Sequence, residues 1–133
     1  METEKSSEDY RPLILVAEDD DSNFKLIKAI IGKKCDIIWA RNGEEAVSLY
    51  RENYDKLDAI LMDIKMPIMN GLKATKMIRE DNSTLPIIVQ TAYAFVSDRE
   101  NALSYGASEV LVKPITLTIL RECLNRFLPQ LKW

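Results

Sequence analysis

The chain has 133 residues, 47% of them hydrophobic and 29% charged, and its 18 basic and 21 acidic side chains leave a formal charge of −3. That length fits one domain able to bury roughly two-thirds of its unfolded surface, and mild acidity without a basic stripe argues against a nucleic-acid surface. Histidine is absent, which excludes His-based nucleophile pairs, His metal ligands and a phospho-accepting histidine; no apolar run approaches the roughly 18 residues of a membrane span, and the polar opening METEKSSEDYR has no apolar signal segment.

Residues 1–11 are almost entirely polar and are expected to form a tail or linker, with the domain over 12–129 and a short C-terminal tail over 130–133. Leu13–Ala17 is a continuous apolar stretch of strand length, and Glu18, Asp19, Asp20 and Asp21 follow it. A helix is predicted over 22–32, where Phe24, Ile27, Ile30 and Ile31 recur at helical spacing. They exceed what one buried face needs, so part of this helix is expected to remain an exposed apolar patch. Residues 36–39 predict a second strand, whose end at Ala40 and Arg41 carries no evident chemistry. Asn42-Gly43 opens a helix marked by Ala46, Leu49 and Tyr50.

The alternation continues. Residues 59–62 predict a buried strand ending at Asp63, then a loop over 64–71 and a helix with Leu72, Thr75 and Ile78 on one face. Residues 86–90 predict the fourth strand, followed by Thr91. SDRE over 97–100 has capping-box form, and Gly106 is a natural helix stop. Residues 110–112 predict the fifth strand, followed by Lys113 and Pro114, and Leu117, Leu120, Leu124, Phe127 and Leu128 form the last apolar stripe. Cys35 and Cys123 each sit in an apolar pattern with no C-x-x-C, which reads as two reduced core thiols in a cytoplasmic protein.

Apolar strands need both faces covered, which alternating helices supply in a parallel sheet. The expected fold is α/β, a doubly wound (βα)5 sheet in the flavodoxin-like order 2-1-3-4-5, with every strand's carboxyl end on one edge, where such sheets bind ligands. At that edge stand Glu18 to Asp21, Asp63, Thr91 and Lys113. Clustered carboxylates repel, which favours a raised pKa or a bound cation. A donor set of oxygens suits a hard ion, Mg2+ better than Ca2+. An Asp carboxylate can attack phosphorus to give an acyl phosphate, an amine can offset the phosphoryl charge and a hydroxyl can donate to it. An EF-hand loop from Asp19 fails, because Phe24 and Ile30 stand where Gly and Glu are needed. A haloacid-dehalogenase-type phosphatase leaves Asp63 unexplained, and a flavodoxin-like carrier would set acids against a flavin phosphate.

The sequence resembles the response-regulator receiver domain of two-component signalling. The resemblance rests on Leu13–Ala17 with Glu18-Asp19, on LMDIKMP over 61–67 with Gly71, on Thr91-Ala92, and on Gly106-Ala107 ahead of Lys113-Pro114. It implies that Asp63 is the phospho-acceptor and that Asp19, Asp63 and the Lys65 backbone carbonyl ligate Mg2+, with Glu18 reaching the metal through water. It further implies that Thr91 is the switch hydroxyl, that Lys113 pairs with the phosphoryl charge, and that the Lys113–Pro114 bond is cis. The donor would be a phosphohistidine on a histidine kinase or histidine phosphotransfer protein, with docking expected through the first helix. No nucleic acid or direct membrane contact is implied, and the isolated domain would be no enzyme beyond its own Asp phosphorylation and dephosphorylation. Lys65 and Tyr93 would flank the path of the hydrolytic water. Two departures stand out: Glu18 replaces the commoner Asp, and Val110 stands where an aromatic ring is usual. The wording of DIKMPIMNG over 63–71 and the polar lead-in resemble the C-terminal receiver of a hybrid sensor histidine kinase, of which this chain would be an excised piece.

Overall fold

The computed structural model describes residues 10–92 and 95–133. Five strands pair in parallel, the inner ones apolar on both faces: β1 (Leu13–Ala17), β2 (Asp36–Ala40), β3 (Ala59–Asp63), β4 (Ile87–Thr91) and β5 (Glu109–Val112). They alternate with α1 (Asp21–Ile31), α2 (Gly43–Asn53), α3 (Gly71–Asp81), α4 (Val96–Ser104) and α5 (Leu117–Phe127). The sheet order is β2-β1-β3-β4-β5, as expected. Strand alternation splits the core in two. Ile14 and Val16 of β1 face a cluster with α1 and α5, whereas Leu15 and Ala17 face one with α2, α3 and α4.

Four helices start at a side-chain cap. Asp20, Asn42, Asn70 and Thr116 accept from the backbone N–H of Asn23, Glu45, Lys73 and Ile119, satisfying donors that a helix end would otherwise leave bare. The capping box expected at Ser97 does not form. The helix begins two residues earlier, with Phe95 at the cap and its carbonyl accepting from Asp98 and Arg99, so Ser97 lies inside the first turn. Gly106 ends that helix with a φ of 111°, which favours glycine.

Three further expectations change. Tyr10 and Arg11 are no tail: Tyr10 packs on the α1–α5 core, and the Arg11 guanidinium bonds Asp36 at 3.1 Å and the Lys33 carbonyl at 2.7 Å. Leu131 and Trp133, in the stretch expected as a C-terminal tail, pack on the same core. The apolar patch on α1 is also absent, because Ile27, Ile30 and Ile31 are all buried. The stripe is wide because this helix packs on the sheet and on α5 at once, and the residue left half-exposed is Leu26. Cys35 and Cys123 are free thiols in the core, and burial pushes Cys35 up to about 12.

One glycine positions the site directly. Gly71 begins α3 with its N–H on the Ile64 carbonyl, and a Cβ there would fall 1.9 Å from the Asp63 carbonyl oxygen. Backbone against backbone leaves nothing flexible to yield. Gly71→Ala should therefore destabilise the fold by about 1–3 kcal/mol despite alanine's better helix propensity, read as a lowered melting temperature; an unchanged or raised one would show that the loop relaxes freely.

Candidate functional site

β1 delivers Glu18 while still in register with β2: the Glu18 N–H donates to the Ala40 carbonyl at 2.9 Å. Its side chain is wholly buried. One carboxylate oxygen lies 3.3 Å from the Lys113 ammonium, and the other accepts from the Asp20 N–H at 3.2 Å. β3 ends on Asp63, paired across the ladder with Gln90 and only 5% exposed. Lys113 Nζ sits 3.0 Å from Asp63 Oδ1, so a single ammonium spans both carboxylates. The Lys113 N–H donates to the Thr91 carbonyl at 2.8 Å, and the Lys113–Pro114 peptide is cis. Thr91 is buried at the end of β4.

Asp19 is exposed at the rim, and the carboxylates of Glu18, Asp19 and Asp63 come within 4.8 Å of one another. Three carboxylates crowd around the Lys113 ammonium, and the electrostatics record it. Burial, then the Asp63 carboxylate, push the Glu18 carboxyl up to about 7 against the pull of Lys113. Burial works against the Lys113 ammonium too, yet its hydrogen bond to Asp63 and the two carboxylate charges hold it above the ordinary lysine value. A cavity of about 370 Å³ opens over these groups, lined by Asp63, Lys65, Thr91, Asp98 and Lys113 among others. Excess negative charge on oxygen donors is what a hard divalent cation would relieve.

The structure thus brings together Glu18, Asp19, Asp63, Thr91 and Lys113, and places Lys65 in the wall of the same cavity. Tyr93 lies outside the described residues. Asp20 and Asp21 do not join the cluster: Asp20 caps α1 and Asp21 pairs with Arg41 at 3.0 Å. Two contributors are silent in the sequence pattern. Asp98 reaches the cavity from α4. Trp39 on β2 donates its indole N–H to the Glu18 carbonyl at 2.8 Å; its place in an apolar strand signals only packing.

The family model of the response regulator receiver domain matches residues 14–125. The chain is 42% identical over 120 residues to hybrid signal transduction histidine kinase I of Dictyostelium discoideum, covering 84% of this chain but only 7% of that protein. It is 34% identical over 118 residues to the polar-differentiation response regulator DivK of Brucella anthropi, covering 86% of this chain and 94% of the relative. The receiver domain of the Saccharomyces cerevisiae response regulator Ssk1, solved with the histidine phosphotransfer protein Ypd1, superposes with a TM-score of 0.82 at 27% identity, covering 88% of each chain.

The raised Glu18 carboxyl carries a pH signature. A carboxyl whose pKa climbs on folding favours the fold while protonated and withdraws that support as pH passes the folded value. With divalent cations chelated, stability should fall between about pH 4.5, the ordinary value, and about pH 7. The loss is on the order of 3 kcal/mol, since one unit is worth about 1.4 kcal/mol. Glu18→Gln should flatten that stretch of a melting-temperature profile, and an unchanged slope would assign it to another group.

Proposed function

The chain belongs to the response regulator receiver family and is a receiver domain of two-component signalling, and we propose that Asp63 is its phospho-acceptor. The observation that supports this most is the Lys113 ammonium bridging Asp63 and Glu18 at the mouth of an open cavity. An Asp carboxylate oxygen is itself a nucleophile toward phosphorus, and the cavity leaves room for the donor to approach it. That oxygen attacks the phosphorus of a phosphohistidine, the P–N bond breaks, and the histidine leaves while Asp63 holds an acyl phosphate. Lys113 then pairs with the phosphoryl charge, and the Thr91 hydroxyl donates to one of its oxygens.

Mg2+ fits this donor set, and when bound it would offset charge on the transferring phosphoryl oxygens. Asp19, Asp63 and the Lys65 carbonyl would hold it. Both Glu18 oxygens are already engaged, one by Lys113 and one by the Asp20 N–H, which suits contact through water better than direct ligation. Val110 is buried in the core on the α2–α4 side, so no ring is available there to follow Thr91. The conformational change rests on the hydroxyl alone. Lys65, in the cavity wall, is the described residue placed to shield the acyl phosphate from water.

The donor is a histidine kinase or a histidine phosphotransfer protein, the kind of partner with which the Ssk1 receiver was solved. Half-exposed Leu26 on α1 borders a small cavity of about 70 Å³ lined also by Asn23, Lys113 and Pro114. Because Lys113 lines both cavities, a donor seated on Leu26 brings its phosphohistidine toward Asp63. The chain spans 7% and 4% of the lengths of the two hybrid kinases it matches, and the higher identity to these than to DivK favours a receiver segment of a hybrid kinase. No helix among the described residues is long and apolar enough to cross a membrane. The two buried thiols suit the cytoplasm.

Incubation with Mg2+ and acetyl phosphate should add one phosphoryl mass to the chain and none to Asp63→Asn; an undiminished adduct in the variant overturns the acceptor assignment. Asp19→Ala should weaken Mg2+ at least tenfold by calorimetry, and equal affinity removes Asp19 from the metal set. Leu26→Glu should slow transfer from a phosphohistidine donor about tenfold while acetyl phosphate still reacts normally. If both reactions fall together, Leu26 supports the site and is not a docking residue.

A further inference from the structure

β2 contributes no carboxylate, hydroxyl or amine to the site, yet it holds both backbone groups of Glu18. The Glu18 N–H donates to the Ala40 carbonyl at 2.9 Å, and the Glu18 carbonyl accepts the Trp39 indole N–H at 2.8 Å. The indole itself cannot swing. Phe24 stacks on it with centroids 3.9 Å apart and planes 3° from parallel, and the Arg41 guanidinium lies 3.9 Å from the same ring centroid. Two groups at that distance from one centroid must occupy opposite faces, so the ring is clamped between them. Arg41 is anchored in turn on Asp21 at 3.0 Å.

A peptide unit is planar, so the direction of the Glu18 carbonyl also fixes the direction in which the chain leaves toward the Asp19 Cα. We propose that Trp39 is a positioning residue of the acidic site: by holding the Glu18–Asp19 peptide plane, it sets the angle at which Asp19 presents its carboxylate beside Glu18 and Asp63. This rests on the reading of those three acids as the Mg2+ and phosphoryl site. Without the clamp, the plane can turn and the mutually repelling carboxylates relax apart. They must then be gathered again when a cation binds, and affinity falls by the cost of that ordering.

Trp39→Phe keeps an aromatic ring against Phe24 and removes only the donor. Its Mg2+ affinity by calorimetry should fall about three- to tenfold. Its rate of phosphorylation by acetyl phosphate should drop at sub-saturating Mg2+ and return to the wild-type rate at saturation, because Asp63, Thr91 and Lys113 are untouched. Arg41→Leu frees one face of the indole from an exposed position that the fold tolerates. Removing a positive charge near three acids would by itself raise cation affinity, so a two- to threefold fall there reports lost position. Ile37→Ala loosens the same strand but leaves the indole in place, and should bind Mg2+ as the wild type does. Wild-type affinity in both Trp39→Phe and Arg41→Leu overturns the inference, as does an equal loss in Ile37→Ala at the same drop in melting temperature. A wild-type protein that binds no Mg2+ overturns the site reading itself, and the inference with it.

Discussion

One ammonium between two buried carboxylates governs this molecule. Lys113 lies 3.0 Å from Asp63 and 3.3 Å from Glu18, and Asp19 at the rim brings a third carboxylate beside them. Burying either carboxylate without that partner would leave a bare charge in a low-dielectric interior, which proteins avoid by taking up a proton. Even with Lys113 in place the balance is incomplete, and the carboxyl of Glu18 rises to about 7. The site is therefore built to receive positive charge. A proton can supply it, and so can a hard divalent cation.

Holding such a cluster together requires a frame that does not yield. Each of its members stands at the end of a strand or within two residues beyond it, and the strands are pinned by two apolar layers that leave no freedom of register. A slip of one residue would turn every core side chain to the opposite face. The loop after β3 is fixed equally tightly: the Gly71 N–H returns to the Ile64 carbonyl, and the backbone of Gly71 packs so closely on Asp63 that a methyl group has no room. Asp20 and Asn70, by capping α1 and α3, end the two loops that flank the acids. Stability of the fold and geometry of the site are here the same set of contacts.

That coupling explains what could be read from the residues alone. Apolar runs of strand length alternating with helical stripes lead to the parallel sheet, because only one architecture covers both faces of five such strands. Polar residues directly after each run lead to the site, because a parallel sheet gathers its carboxyl ends on one edge. What could not be read is contact between elements distant in sequence. The width of the α1 stripe signals a second packing partner as well as an exposed patch, and only the position of α5 decides that Ile27, Ile30 and Ile31 are buried. Arg11 looks like a solvated tail charge until the Lys33 carbonyl and Asp36 are seen beside it. Trp39 looks like strand packing, and nothing in its spacing shows that its N–H reaches Glu18.

The α4 and β5 side of the molecule follows the same logic with weaker fastenings. α4 buries Ala102 alone and has no side-chain cap, so little apolar area ties it to the sheet. Its attachment is polar: Arg99 pairs with Glu109 at 2.8 Å and reaches the Val110 carbonyl at 3.4 Å, while Arg126 of α5 takes the other Glu109 oxygen at 3.1 Å. Burial works against the Glu109 carboxylate, but the Val110 N–H and the two guanidinium groups hold its carboxyl below the usual range. Ion pairs with half-exposed arginines are individually weak and easily exchanged. A helix held in this way can shift at small cost, whereas Val110 beneath it is locked among aliphatic neighbours. The acidic pocket is thus held by the strand ladder and two apolar layers, whereas α4 is fastened to β5 largely by exchangeable ion pairs.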